Sequence, residues 1–246
     1  MARELGGRPA DVTEKRLRDW FGSQKQWSNE TRRGYRSSAI GFFGWAAETG
    51  RTPANIALKL PAVKPTPPAP RPLPDGAWAT GIEQADARTR LMLRLAAEGG
   101  LRRAEVAQVS TSDLSFGLSG AQLLVHGKGN KKRVIPITDE LAELIAAGAP
   151  GHTPALAAFG HDGYLFPGDD GGHLSPRWVG TLCKRVLPGI WTLHKCRHRY
   201  AAKVYRGSRN LRALQMLLGH ASVATTEVYT PVDDDEIRAA MLHAAA

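Results

Sequence analysis

The spacing of apolar residues along the chain predicts mainly helix. In the first quarter, apolar positions recur every three or four residues, as they do on the buried face of an amphipathic helix. One such face lies at residues 17–21, and a second runs through residues 35–47 and stops at Gly50. We expect the second helix to begin near Ser28 or Asn29, although the sequence offers no capping box there.

Helical and strand patterns both occur in the later part of the chain. Residues 89–98 carry a helical stripe that ends at a Gly-Gly pair. Residues 122–126 and 133–137 have the pattern of two strands, with residues 127–130 between them as a hairpin connection. Residues 148–176 are rich in Gly, Pro and Asp and are predicted to be loops. The remaining predicted helices lie at residues 139–147, 177–187, 192–206 and 211–218. The expected fold class is mainly α with a small β-sheet, an α+β arrangement.

A proline-rich stretch, residues 61–74, divides the chain. Half of its positions are proline, which lacks a backbone donor and fixes φ, so the stretch is neither helix nor central strand. It is expected to run as extended polyproline II, a semi-rigid linker. The sequence therefore predicts a helical domain at residues 1–60 and a second domain at residues 75–246.

The chain is strongly basic. It carries 33 Lys and Arg against 23 Asp and Glu, a formal net charge of +10, which suggests a polyanionic partner. The excess is denser before the linker, where Arg32, Arg33 and Arg36 share a helix face at spacings of three and four. A solvated helix face explains these arginines equally well, but the local excess favours phosphate contacts.

Other features bear on the compartment. Two cysteines are too few for a disulfide framework and fit a reducing cytosol. The sequence has no apolar run of about 18 residues that could span a membrane. Its first seven residues are charged rather than apolar, unlike a secretory signal. We expect a cytoplasmic protein with no membrane partner.

Three segments concentrate the residues that phosphodiester chemistry needs: Gly100–Glu105, His194–His198 and Leu218–Tyr229. Transesterification requires an in-line nucleophile, cations on the nonbridging oxygens and a proton for the leaving oxygen. A tyrosine, with an ordinary pKa of about 10, becomes a nucleophile only beside cations or a base. The arginines, histidines and single tyrosine of these segments suit attack by a protein nucleophile without a metal.

In the first segment, Arg102 follows a predicted helix end. Its guanidinium can bind two phosphate oxygens at once. Glu105 lies three residues on, and in a helix the two side chains share a face, so Glu105 could hold Arg102 in place. An ordinary surface ion pair is the usual explanation of such a spacing, so this motif is weak by itself.

In the second segment, His194 and Arg197 are three residues apart near the start of a helix opened by Thr192, and therefore project together. His198 follows His194 by four residues, and a buried hydrogen-bonding role for it is at least as well supported as catalysis. On a helix Cys196 points about 200° away from His194. The His194, Cys196 and His198 side chains therefore cannot converge on one ion, and we predict no metal site.

The third segment contains His220 and Tyr229. His220 follows Gly219, which is well placed as a helix C-cap, and Tyr229 lies nine residues further on. Taken singly, each is explained by a capping contact or by core packing. Their order and spacing together with the upstream arginines and histidines favour a catalytic set.

These segments resemble the motifs of the tyrosine recombinases, the phage-integrase family. The run Gly100–Glu105 is similar to the family's first box, and His194–His198 to its His-x-x-Arg box. Leu218–His220 and Tyr229 resemble the third box and the nucleophile. The run Gly127–Arg133 resembles the hairpin that carries the family's catalytic lysine.

The resemblance implies a mechanism. Tyr229 would attack the scissile phosphate, forming a 3′-phosphotyrosine and freeing a 5′ hydroxyl. His194 would accept the tyrosine proton and Lys128 would protonate the leaving oxygen, while Glu105 and His198 would support the site. The residues implied to hold the phosphate are Arg102, Arg197 and His220. Further DNA contacts are expected from Lys131, Lys132 and Arg133. The bond energy stays in the phosphotyrosine, so neither ATP, nor a metal, nor another cofactor is required.

The resemblance also implies an organisation. Residues 1–60 would be a helical core-binding domain and residues 75–246 a mixed α/β catalytic domain. Its tail helix would start near the acidic residues 233–236. The chain lacks room for an arm-binding domain, so a short phage integrase and a Xer-like recombinase both fit. The implied partners are core recombination sites in double-stranded DNA, three further copies of the chain in a tetramer on DNA, and an accessory directionality factor, all in a bacterial cytoplasm.

Two departures from the family pattern lie beside the catalytic positions. A Gly-Gly pair stands where the family often has Thr-Gly, and Cys196 stands where leucine is common. Two other readings remain. A type IB-like topoisomerase shares the chemistry but relaxes supercoils, and a DNA-binding protein could keep the fold without turnover.

Overall fold

The computed structural model describes residues 2–65, 71–157 and 163–219, and its chain divides into two compact units, Met1–Pro68 and Ala69–Ala246. The predicted fold class is confirmed, since the described residues are mainly helical with one small antiparallel sheet. The helices of the first unit are α1 (Ala2–Leu5), α2 (Glu14–Ser23) and α3 (Asn29–Glu48). Those of the second unit are α4 (Asp75–Gln84), α5 (Ala87–Glu98), α6 (Arg103–Gln108), α7 (Asp139–Ala146), α8 (Gly148–His152), α9 (Pro154–Ala157), α10 (Pro176–Val186), α11 (Leu193–Ser208) and α12 (Leu211–Leu218).

The first unit is built on α2 and α3. The Ser28 hydroxyl caps α3 by accepting a hydrogen bond from the backbone N–H of Thr31 at 3.2 Å. Leu17 and Phe21 of α2 and Phe43 of α3 belong to this unit's buried core. The apolar face predicted over residues 35–47 is only partly buried, because Tyr35, Phe42 and Trp45 are exposed. Beyond it, residues 61–65 and 71–74 belong to no helix or strand.

The core of the second unit surrounds α5. Leu91, Met92, Leu93 and Leu95 are all essentially inaccessible to solvent, so this helix is apolar around most of its circumference, as a central helix must be. α10 and α11 pack against it. This arrangement brings the amino-terminal ends of α6 and α11, where the candidate residues lie, to neighbouring positions at one edge of the core.

The sheet is an antiparallel meander of β1 (Leu114–Gly117), β2 (Gly120–His126) and β3 (Lys132–Pro136). Leu123 pairs with Ile135 and Val125 pairs with Arg133. Directly paired residues lie on the same face of a sheet, and Leu123, Val125 and Ile135 are buried. Arg133 therefore lies on the buried face of β3, whereas its neighbour Lys132 is exposed.

The structure corrects two expectations. Residues 148–176 are not loop throughout, because they contain the short helices α8 and α9 and the first residue of α10. The strand β1 was not predicted, because three of its four residues are exposed and it therefore lacks the inside–outside alternation of a half-buried strand. Among the described residues, no helix combines the length and apolarity needed to cross a membrane. The expected tail helix lies outside the described residues.

Candidate active site

Glu105 is the centre of the candidate site. It lies in the first turn of α6, where its carboxylate accepts hydrogen bonds from both the backbone N–H and the guanidinium of Arg102, each at 2.8 Å. A glutamate at this position satisfies the N–H of the residue that begins the helix. Glu105 therefore contacts Arg102, and its supporting role in the site stays a prediction. The Arg102 side chain keeps 42% of its surface exposed, whereas that of Glu105 keeps 2%.

Arg133 approaches the same carboxylate from β3. Its Nη1 and Nη2 atoms donate to the two oxygens of Glu105 at 2.8 and 2.9 Å, and its Nε donates to the carbonyl of Leu217 at 3.0 Å. The side chain is only 14% exposed. A DNA contact by Arg133 stays a prediction, but its guanidinium is turned towards the protein. Lys131 and Lys132 beside it are exposed.

Arg197 supplies a third guanidinium from α11. Its Nη1 lies 3.7 Å from the Glu105 carboxylate and donates to the carbonyl of Gly100, and its Nη2 donates to the carbonyl of Leu218 at 2.7 Å. The residue is only 1% exposed. These contacts join Gly100, two residues before Arg102, to the carboxyl end of α12, where a positive charge is favoured by the helix dipole.

The cluster of Glu105, Arg102, Arg133 and Arg197 is cationic overall, because three guanidiniums meet one carboxylate. Burial raises the pKa of Glu105, but hydrogen bonds from Arg133 and from the backbone of Arg102 outweigh this effect and lower the pKa to about 2. The carboxylate therefore stays ionised at neutral pH and fixes its partners through charge-assisted hydrogen bonds. The surplus of positive charge suits a phosphate ligand.

Two glycines allow this close packing. Gly100 has φ +67°, and a Cβ there would meet the Tyr200 ring at 2.6 Å. Gly219 has φ +62°, and its Cβ would meet Cδ of Arg133 at 2.9 Å. Both positions combine a left-handed backbone with a close neighbour, so side chains are excluded at each.

His194 and His198 lie one helical turn apart on α11. Their rings pack edge to face with centroids 4.5 Å apart. Burial lowers the pKa of His194, and the charges of Arg197 and Lys195 lower it further. Burial likewise lowers the pKa of His198, to about 3. Both rings are thus neutral at pH 7, and a neutral imidazole is the form that can accept a proton.

A groove of about 790 Å³ runs beside this cluster. Its ionisable lining is entirely basic within the part of the chain that the structure describes. The basic side chains that line it are Arg102, Arg103, Arg177, Lys184, Arg185 and His194. Sequence reasoning missed four of these. The seven-residue spacing of Arg177 and Lys184 places them on one face of α10, and that signal could have found them.

The lysine hairpin adjoins the cluster. Gly127, at its base, donates to the carbonyl of Lys131 at 2.7 Å, and a Cβ on Gly127 would lie 3.8 Å from a Glu105 oxygen. Lys128 follows in a short 3₁₀ turn and is exposed. The predicted lysine therefore lies on a hairpin whose second strand binds, through Arg133, the carboxylate that also binds Arg102.

The three arginines predicted to bind DNA in the first unit all have partners within that unit. Arg32 donates to the carbonyl of Gln24 at 2.8 Å, Arg33 pairs with Glu30, and Arg36 donates to the carbonyl of Leu60 at 3.2 Å. Arg33 and Arg36, with Ser37, also line a groove of about 290 Å³. Their phosphate contacts stay predictions.

Two predicted site residues, His220 and Tyr229, lie outside the described residues. The described chain ends at Gly219, directly after α12. Among the described side chains, no group of three or more His, Cys, Asp or Glu is arranged to hold a metal ion. Cys196 is buried, and its thiol faces the carbonyl of Thr192 at 3.9 Å.

Comparisons with known proteins place the site in context. A model of the phage integrase family matches residues 77–236. The tyrosine recombinase XerC of Rhodospirillum centenum is 36% identical over 219 residues, which cover 82% of this chain and 62% of that protein. The XerC of Bradyrhizobium diazoefficiens is 31% identical over 205 residues, covering 76% and 62%. This chain thus spans about three fifths of the length of these two relatives.

Solved structures agree with the fold. The XerH site-specific recombinase, in its post-cleavage complex with a palindromic difH substrate, superposes with a TM-score of 0.71 at 21% identity, over 94% of this chain and 72% of that one. The integrase from mycobacterium phage Brujita gives a TM-score of 0.52 at 26% identity, over 96% and 79%.

Proposed function

Since the chain belongs to the phage integrase family, we propose that it is a site-specific DNA recombinase that cleaves and rejoins DNA through a 3′-phosphotyrosine. The observation that carries the proposal is the cationic cluster on Glu105 beside a groove lined by basic residues. Segments more than 90 residues apart along the sequence meet there. Convergence of this kind supports a built site for a phosphodiester, beyond what a basic surface alone would supply.

The proposed steps need four functions. Tyr229 attacks the scissile phosphorus, its phenolic proton passes to His194, and the 5′ oxygen leaves with a proton from Lys128. The charge that develops on the nonbridging oxygens is stabilised by Arg102, Arg197 and His220, since positioned donors act most strongly where charge appears in the transition state. Rejoining is the reverse, with a 5′ hydroxyl attacking the phosphotyrosine. No step uses ATP or a metal.

A separate observation supports the role assigned to each residue. Arg102 is half exposed and lines the groove while Glu105 orients it. His194 lines the same groove and is neutral at pH 7. Lys128 is an exposed cation on the hairpin next to Glu105. The roles of His220 and Tyr229 rest on the family motifs in the sequence.

The groove also suggests how the flanking backbone is held. Arg103, Arg177, Lys184 and Arg185 present positive charge along it. Each DNA strand carries one phosphate per about 3.4 Å of helix axis, so neighbouring phosphates can reach successive cations. We assign these residues to the backbone on either side of the scissile phosphate. The first unit adds Arg33 and Arg36 as proposed phosphate contacts.

Double-stranded DNA is the proposed partner, in a tetramer of this chain on paired core sites in the bacterial cytoplasm. An accessory directionality factor is part of the same proposal. The relatives named above are recombinases or integrases, and no observation favours supercoil relaxation as the main activity. Nor does any observation favour a binding protein without turnover.

The test is covalent capture. A binding site is first selected from randomised duplexes with the full chain, and duplexes of that sequence are then prepared with nicks at successive positions. Loss of a short fragment at a nick prevents religation, so a recombinase accumulates as a protein–DNA adduct. No adduct at any nick position would contradict the proposal. Relaxation of a supercoiled plasmid that lacks the site would point to a topoisomerase.

A further inference from the structure

Arg133 connects three parts of the second unit. It lies on β3, five residues after Lys128, and binds both oxygens of Glu105 and the carbonyl of Leu217. We infer that Arg133 is a positioning residue of the cleavage reaction. It fixes the lysine hairpin and the carboxyl end of α12 to the carboxylate that orients Arg102. This inference rests on the proposed function. It gives Arg133 a role different from the DNA contact that its basic character suggested.

The first connection is to the hairpin. β2 and β3 are paired up to His126 and Lys132, and the Gly127 N–H closes the loop on the Lys131 carbonyl at 2.7 Å. Only the short turn that contains Lys128 lies beyond these bonds. Arg133 is the second residue of β3 and anchors the start of this strand to Glu105. It therefore limits the positions that Lys128 can reach from its exposed turn.

The second connection is to α12. The guanidinium of Arg133 lies against Gly219, where a Cβ would meet Cδ at 2.9 Å and Nη1 at 3.2 Å. Its Nε bonds the Leu217 carbonyl at the end of the helix where a cation is favoured. The next residue along the chain is His220. Arg133 therefore sets the end of the helix from which that residue follows.

The Arg133 side chain is largely buried. Three nitrogens of Arg133 already donate to the protein, and the side chain is only 14% exposed. Its neighbours Lys131 and Lys132 are exposed. These three contacts join Arg133 to Glu105 and to α12. Lysine cannot replace it, because one ammonium cannot present the planar fork that binds both carboxylate oxygens.

The experiment compares Arg133→Lys with two references in the full chain. Arg94→Lys is the matched control, because Arg94 is similarly buried at 16% exposure and binds two carboxylates, those of Glu98 and Glu140. Lys128→Ala is the reference for loss of the proton donor. Adduct formation is timed on two nicked substrates, one with the normal 5′ oxygen and one with a 5′-bridging sulfur, whose thiolate leaves without a proton.

Arg133→Lys is expected to slow cleavage of the oxygen substrate more than tenfold and to regain part of the rate on the sulfur substrate, which no longer needs the proton from Lys128 but still needs Arg102. Lys128→Ala is expected to regain most of its rate on the sulfur substrate. DNA affinity is expected to stay within about threefold of wild type. Melting temperature is measured in parallel. Should Arg133→Lys unfold, Arg133→Gln, which keeps an amide donor for Glu105, gives the same comparison.

Two outcomes overturn the inference while leaving the proposed function intact. In one, wild type forms adduct and Arg133→Lys matches Arg94→Lys on both substrates. In the other, the two substrates lose rate equally, which would show that Arg133 does not position Lys128. If wild type itself forms no adduct, the proposed function fails, and the inference fails with it.

Discussion

The Nη2 atom of Arg197 donates a 2.7 Å hydrogen bond to the carbonyl of Leu218, 21 residues further along the chain. The same guanidinium donates to the carbonyl of Gly100, so one buried side chain joins the loop before Arg102 to the end of α12. Segments that are remote in sequence are therefore held together by a residue of the His-x-x-Arg motif. Arg197 therefore contributes to the positions of the Gly100 loop and the end of α12, as well as to the positive charge of the site.

Replacing Arg197 by lysine should impair both roles. A single ammonium cannot bond the Gly100 and Leu218 carbonyls together, and a buried acceptor left without its donor costs about 1–3 kcal/mol. We expect a lower free energy of unfolding by that amount and cleavage slower by well over tenfold, on the order of 2–4 kcal/mol in activation free energy. Urea unfolding and single-turnover adduct formation measure the two effects. Wild-type values for both would show that Arg197 has neither role.

Glu105 predicts a pH dependence of stability. Its pKa falls from 4.5 to about 2 on folding, so the folded state favours the ionised form. The stabilisation is fully present above pH 4.5 and is lost as the pH falls towards 2. By linkage it is on the order of 3 kcal/mol at pH 7. Glu105→Gln should therefore be much less stable than wild type at pH 7, and this difference should narrow at pH 3. A difference that stays constant between the two pH values would contradict this assignment.

His194 should titrate below its ordinary range in the DNA-free protein. Burial and the charges of Arg197 and Lys195 lower its pKa from 6.5, so the ring loses its proton at a lower pH than a solvated histidine. Folding favours the neutral ring, and the stability it contributes is lost as the pH falls below about 6.5. The NMR signal of its Cε1 proton, assigned by its loss in His194→Gln, gives the midpoint. A midpoint above 6.5 would mean that the neighbouring cations do not act on this ring.

The groove predicts a change in salt dependence. Arg103 and Arg177 line it and are exposed. If each neutralises one phosphate, Arg103→Gln or Arg177→Gln should weaken binding and lower the slope of log K against log salt by about 0.9. Arg90→Gln removes the same charge outside the groove and should leave the slope unchanged. Equal slopes for wild type and both groove variants would place the DNA elsewhere.

Local pattern was sufficient for much of the fold. The long helices follow from apolar spacing and from caps such as Ser28, because these signals lie within a few residues of each other. β1 escaped prediction because Ser115, Phe116 and Gly117 are all exposed, and an exposed strand lacks the alternation that marks a half-buried one. α8 and α9 were missed because each has only four or five residues and contains glycine or proline, which are turn signals in the sequence.

In the candidate site too, contacts between residues near in sequence could be predicted, whereas contacts between distant residues could not. Glu105 and Arg102 are three residues apart, so their contact follows from helix geometry. Arg133 is different, because its partner Glu105 lies 28 residues away and no local rule supplies that pairing. Arg133 and Ile135 alternate on β3 and share a face of the sheet. The prediction of a DNA contact rested on the basic character of Arg133 and did not use this alternation.

In the proposed reaction, Tyr229 becomes covalently joined to DNA. The most direct measurement uses the nicked substrate, with the trapped complex digested and the DNA-linked peptide sequenced by mass spectrometry. We expect a phosphodeoxynucleotide on Tyr229, and no adduct from Tyr229→Phe although that variant still binds the duplex. A modified residue other than Tyr229, or undiminished adduct from Tyr229→Phe, would contradict it.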